Sequence, residues 1–152
     1  MLTVGEDTYI TTTEADEFIN GLLLSTDAQR VAWAALSTGD KEVYLRESMM
    51  QIDVLPFTGC KYYINQTLQF PRDYNDNVVP LAVKQAQALE AAASVGMLPE
   101  IEKRAQLRAQ GIMQFSAGKL SESYRPVSEF GLFSLKAHRL LRQYTLGGVP
   151  FA

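Results

Sequence analysis

The stretch Thr67–Pro80, TLQFPRDYNDNVVP, interrupts a chain that otherwise reads mostly as helix. It places Phe70, Pro71, Arg72 and Tyr74 on irregular backbone before a new helix begins near Pro80. Connections longer than about 12 residues are uncommon in compact domains and are usually functional or disordered. Aromatic, proline and arginine side chains together are the wrong composition for a disordered spacer. They are the right composition for a docking surface, because aromatics and Arg are enriched at interface cores. Phe70-Pro71-Arg72 also has a structural reading, in which Phe70 plugs the rim of the core and Pro71 stiffens the backbone. The two readings are compatible. On the docking reading, Arg72→Ala leaves the fold nearly intact and weakens assembly.

Helical patterns flank this stretch on both sides. Thr11 and Glu14 have capping-box spacing, with Ile10 placed as a staple. Ala15, Phe18, Ile19, Leu22 and Leu23 then recur at helical spacing. Ser25-Thr26-Asp27 caps a segment Ala28–Leu36, with Val31, Ala32, Ala35 and Leu36 on one side and Trp33 off that stripe, where a Trp covers a neighbouring element. Ser37 with Asp40 opens a helix over residues 39–54 that Pro56 ends, with Val43, Leu45, Met49, Met50 and Ile52 as a wide apolar surface. Pro80 suits the first turn of a helix over 80–95. That helix is rich in alanine, with Ala82, Ala86, Leu89 and Ala93 on one face and Val83 beside it, so its neighbours can approach closely. Residues 100–110 fit either a further helix or a solvated linker. Ile112–Phe115 and Lys119–Tyr124 read as short strands around a turn at Ser116-Ala117-Gly118. A last helix over 129–145 buries Phe133, Ala137, Leu140, Leu141 and Tyr144. The fold class is therefore mainly α: a small bundle of four to five helices with a short β-hairpin before the C-terminal helix. Residues 1–146 read as a single domain, and 147–152 as a flexible tail.

The 152 residues are 47% apolar, a globular composition, and no run of about 18 apolar residues could span a membrane. Met1–Asp7 lacks the basic and apolar regions of a signal peptide. Charge is unevenly spread: residues 1–117 hold 9 Lys/Arg against 15 Asp/Glu, and residues 118–152 hold 5 against 2, giving the overall −3. A protein that grips DNA through counterion release carries a stronger basic excess. Lys136, Arg139 and Arg142 recur at a spacing of three, either as a solvated face or as a strip facing nucleic acid or an acidic partner.

Residues for catalysis are scarce. His138 is the sole histidine, in a Lys/Arg-flanked helix with no carboxylate three or four positions away, and reads as an ordinary helix-surface side chain. Cys60 is the sole cysteine, read as an inert, at least half-buried thiol that excludes an intrachain disulfide. No glycine-rich phosphate cradle is present. Asp73 and Asp76 suit either turn formation or a hard cation.

The blocks Tyr9-Ile10-Thr11, Glu14-Ala15-Asp16, Leu68-Gln69-Phe70-Pro71-Arg72, Val79-Pro80 and Val83-Lys84-Gln85-Ala86, in this order, resemble the head–tail adaptor (head-completion or connector) proteins of tailed bacteriophages. They span most of residues 9–95, while residues 97–152 match only in outline. Some similar sequences carry a DnaT-like single-stranded DNA-binding label. The resemblance implies a helical virion protein at the head–tail junction, made in the host cytoplasm, without enzymatic activity, cofactor or bound metal. It implies homo-oligomeric rings, commonly dodecamers, that dock under the portal protein, extend the channel for packaged double-stranded DNA and receive the next tail or head-closure protein. No membrane is involved. On that view Phe70, Pro71, Arg72 and Tyr74 are candidates for subunit or portal contacts, and Lys136, Arg139 and Arg142 for contacts with DNA or an adjacent ring. The alternative function is a single-stranded DNA-binding replication protein, with Tyr62, Tyr63, Phe70 and Tyr74 as stacking platforms.

Overall fold

The computed structural model describes residues 1–95, 114–117, 120–123 and 131–146. It divides into two compact units, Met1–Val95 with Leu132–Ala152, and Gly96–Gly131. The expected tail at 147–152 and the segment 100–110 lie outside the described residues.

The first unit is a helical bundle. Helix α1 spans Thr12–Leu22 and starts on a complete capping box: the Glu14 amide donates to the Thr11 hydroxyl at 3.1 Å, and the Thr11 amide to the Glu14 carboxylate at 2.9 Å. Its last carbonyls are taken by cations from elsewhere, Asn20 and Leu23 by Arg30 and Leu22 by Lys136. Helix α2, Ala28–Ala34, is capped by Asp27. Helix α3, Thr38–Asp53, is capped by Ser37 with Asp40 and buries Leu45, Ser48 and Ile52 along one stripe. Helix α4, Leu81–Ser94, follows Pro80 directly. Helix α5, Leu135–Leu141, is capped by Ser134 and continues into a 3-10 turn at Arg142–Tyr144. These five α-helices among the described residues make the fold mainly helical, the class read from the sequence.

Helix α4 is the axis: it packs against α1, α2, α3 and α5. Every residue from Ala86 to Ser94 is buried, so it is covered all round rather than along the single face expected. Six of the nine are Ala or Ser, and small side chains let four helices approach one backbone.

Three expectations change. The apolar side of α2 is not the Val31 stripe: Val31 is 57% exposed and Trp33 only 2%. Trp33 turns inward because its Nε1 donates to Asp16 on α1 at 2.7 Å while Lys41 binds the same carboxylate at 2.9 Å and stands over the indole ring. Val43 and Met50, expected to pack, are about half exposed on α3. The last helix starts six residues later than 129, and Phe133 precedes it.

In the second unit, strands β1, Gln114–Ala117, and β2, Leu120–Ser123, pair antiparallel with Ala117 opposite Leu120. The hairpin stands where the sequence placed it, but Ser116 and Ala117 belong to the first strand rather than to the turn.

Candidate functional site

The α3–α4 connection, residues 54–80, is a structured loop held at three points, two that tie it to the bundle and one that clamps its own arms together. The first tie is a polar node beneath Phe70. Tyr9, buried, donates its hydroxyl to the Asp53 carboxylate at the end of α3 and accepts the Gln69 amide at 3.1 Å, while the other Asp53 oxygen also takes the Gln69 amide at 3.1 Å. Burial pushes the Tyr9 hydroxyl well above the usual tyrosine range, and the Asp53 charge adds to this. Burial likewise raises the Asp53 carboxyl, against the opposing pull of those hydrogen bonds.

The second tie is aromatic. Phe70 meets Phe57, Tyr144 and Tyr9 edge-on, with ring centroids 4.8, 5.6 and 6.2 Å apart. The Phe70–Pro71 peptide is cis.

The third tie is Arg72. Its Nε donates to the Thr58 carbonyl, its Nη2 to the Gly59 and Phe57 carbonyls, and its Nη1 to the Gln69 side chain at 2.9 Å. A guanidinium has five N–H groups in a fixed fork, which suits it to collect several carbonyls at once. Arg72 is only 6% exposed. Backbone pairing of Lys61 with Arg72, and the Asp73 amide on the Cys60 carbonyl, join the two arms into a short ribbon.

The four loop candidates therefore separate. Phe70 and Arg72 are interior, Pro71 is half-buried, and Tyr74 is exposed. The guanidinium is a backbone clamp, so Arg72→Ala should cost stability rather than spare the fold. Tyr74 stacks on Tyr144, with centroids 6.4 Å apart and planes at 11°. Cys60 is exposed rather than half-buried, since the Arg72 guanidinium and Phe57 take up the inner side of that arm.

The apolar surface of the loop lies at residues the docking reading did not single out: Tyr62 and Tyr63, in edge contact at 4.9 Å, and Ile64. The one sequence signal was three consecutive large apolar residues outside any helical period. Lys136, Arg139 and Arg142 are all exposed, and Lys136 and Arg139 border one groove together with Leu22, Gln85, Leu89 and Leu140. Among the described residues, no cluster of His, Cys, Asp or Glu could hold a metal ion, and no helix is long and apolar enough to cross a membrane.

The blocks that carried the sequence resemblance contact one another in two places, this node and an ion pair between α1 and α4. Tyr9 touches Asp53, Gln69 and Phe70, and Glu14 pairs with Lys84 at 3.3 Å. They encode the packing of loop and helices, and so speak to fold before function.

A family model described as "Putative DnaT-like ssDNA binding protein" matches residues 2–149. No curated protein and no solved structure matches the chain.

Proposed function

The chain belongs to the family described as DnaT-like ssDNA-binding proteins, and within it we propose that this member works as a structural assembly subunit, a phage head–tail adaptor whose rings dock under a portal. The carrying observation is the chemistry of the loop surface. Tyr62, Tyr63 and Ile64 face solvent on a structured turn, whereas both loop cations are spent inside the chain. Lys61 donates to the Gln66 and Thr67 carbonyls at 3.2 and 3.1 Å, and Arg72 clamps the opposite arm. An apolar patch without available cations suits a protein face better than a phosphate backbone. The bundle supports this, with 9 Lys/Arg against 13 Asp/Glu over residues 1–95 and 132–152. A wall past which DNA slides works best without tight phosphate contacts. The family description names no adaptor. That reading rests on this surface and on the order of the sequence blocks. Mass measurement of the purified protein, alone and with a portal ring of the same phage, tests it. A stoichiometric complex or ring supports the reading, and a monomer under both conditions overturns it.

The family description favours a second reading, single-stranded DNA binding. Tyr62, Tyr63 and Tyr74 would stack bases, and Lys136, Arg139 and Arg142 would meet phosphates. Titration of a labelled oligonucleotide at several salt concentrations separates the two. Dissociation constants of roughly 10⁻⁶ M or tighter, with a steep salt slope, would replace the first reading by the second.

A further inference from the structure

Ile64 is 95% exposed, yet the backbone around it is held by hydrogen bonds. The Gln66 amide donates to the Tyr63 carbonyl at 3.2 Å, and the Gln66 side chain accepts the Tyr63 amide at 3.0 Å. The same side chain donates to the Leu68 and Pro71 carbonyls at 2.8 and 2.9 Å. Turn tips favour Gly, Pro, Asn, Asp and Ser. An isoleucine there, with its side chain in water, contributes nothing to the bundle. With Tyr62 and Tyr63 beside it, it forms an apolar knob whose ordering cost is already met by the fold.

The same unit carries a receptor of matching character. Leu22 of α1, Gln85 and Leu89 of α4, and Leu140 of α5 line a groove of about 390 Å³, with Lys136 and Arg139 on its border. That volume lies in the range of roughly 300–1,000 Å³ typical of sites that enclose a ligand. The groove is apolar with a basic rim. The ribbon bearing the knob is apolar at its tip and acidic in its exposed charges, Asp73 and Asp76, because Lys61 and Arg72 are bonded inward.

We propose that Tyr63 and Ile64 of one copy seat in the Leu22–Leu89–Leu140 groove of a second copy, with Arg139, and Lys136 as it exchanges the Leu22 carbonyl, drawing in the ribbon's carboxylates. The choice of a second copy as occupant rests on the assembly reading above. Knob and groove are different surfaces, so the contact is heterologous and can propagate from subunit to subunit or close into a ring.

The test uses the full chain in three forms: wild type, Ile64→Asp, and the double variant Lys136→Glu with Arg139→Glu, each checked for helical content by circular dichroism. Sedimentation and native mass spectrometry should show wild-type self-association, weakened at least tenfold in each variant. Mixing the two variants should give a one-to-one heterodimer and nothing larger, because each keeps one intact surface and only one productive pairing exists. Wild-type-like assembly of Ile64→Asp would overturn the contact while leaving the adaptor reading standing, since portal docking is measured separately. A wild type that stays monomeric at every concentration, or a mixture without heterodimer, also overturns it. So does an Ile64→Asp variant that loses oligonucleotide binding but assembles normally, an outcome that assigns the knob to nucleic acid.

Discussion

Arg72 reaches across the loop to Gly59, donating from Nη2 to the Gly59 carbonyl, and the same guanidinium holds the carbonyls of Phe57 and Thr58. Arg72→Ala removes the donor from a row of carbonyls that sit partly or wholly out of water. Each unsatisfied buried group costs about 1–3 kcal/mol. We expect a loss of about 3 kcal/mol in urea unfolding, at the upper end of ordinary point mutations. Arg72→Lys should recover little, because a compact ammonium cannot span the fork. An unchanged midpoint for Arg72→Ala would show that the clamp is not needed.

Gly59 itself is at φ +75°, in the left-handed region. A Cβ there would run into Asp73 Oδ1 and the Tyr74 ring. Gly59→Ala should cost about 1–3 kcal/mol from strained backbone and steric conflict together. In an Asp73→Ala background part of that cost should remain, because removing the carboxylate relieves one collision and leaves the Tyr74 ring and the dihedral. Thermal unfolding of the four combinations reads this directly. Full recovery in the double variant would mean that the Asp73 collision was the whole effect.

The helix starts were legible because capping is local chemistry. Thr11 with Glu14 and Ser37 with Asp40 find their partners within three residues. Pro80 opening α4 and the alanines along it could be read for the same reason. The partners of Trp33 could not, since Asp16 and Lys41 lie on other helices, and a seven-residue helix offers too little periodicity to settle its apolar face. The clamp role of Arg72 is hidden for a different reason. Its partners are main-chain carbonyls, which no residue type in the sequence announces, so an arginine beside aromatics looked like an interface residue. The groove beside Lys136 and Arg139 joins three helices, so only the tertiary fold could disclose it.

Gln87 is a fully buried amide on α4. It accepts the Tyr9 amide at 3.0 Å and donates to the Thr8 hydroxyl and the Leu45 carbonyl at 2.8 and 2.9 Å. It thereby fastens the N-terminal lead-in to α3 and α4 and places Tyr9 for the node under Phe70. Gln87→Leu keeps the volume and strands the Tyr9 amide, at a cost of about 2–4 kcal/mol. Hydrogen exchange at the Tyr9 amide should lose protection by more than the global loss of stability. Equal loss at Tyr9 and in the middle of α4 would argue against a local fastening role.

Glu90, on α4 and fully buried, accepts the Phe133 and Ser134 amides at 2.8 and 2.9 Å, so one carboxyl group anchors the start of α5. Burial pushes its pKa above the ordinary 4.5, and the two amides pull back without cancelling the shift. The folded state thus holds this proton more tightly than the unfolded chain does. The associated stability is fully present below the unfolded value and is lost as pH rises through the folded one. Asp53, shifted the same way by burial, adds a term of the same sign, so the informative quantity is the difference between wild type and Glu90→Gln. The unfolding free energy of the wild type should fall relative to Glu90→Gln as pH rises from about 4 across the raised pKa, because only the wild type carries the proton-linked term there. Denaturant titrations at half-unit pH intervals measure it. Parallel curves for the two proteins would mean that the two amides cancel burial, and a wild type that gains on the variant with rising pH would mean that they outweigh it and hold Glu90 as a carboxylate.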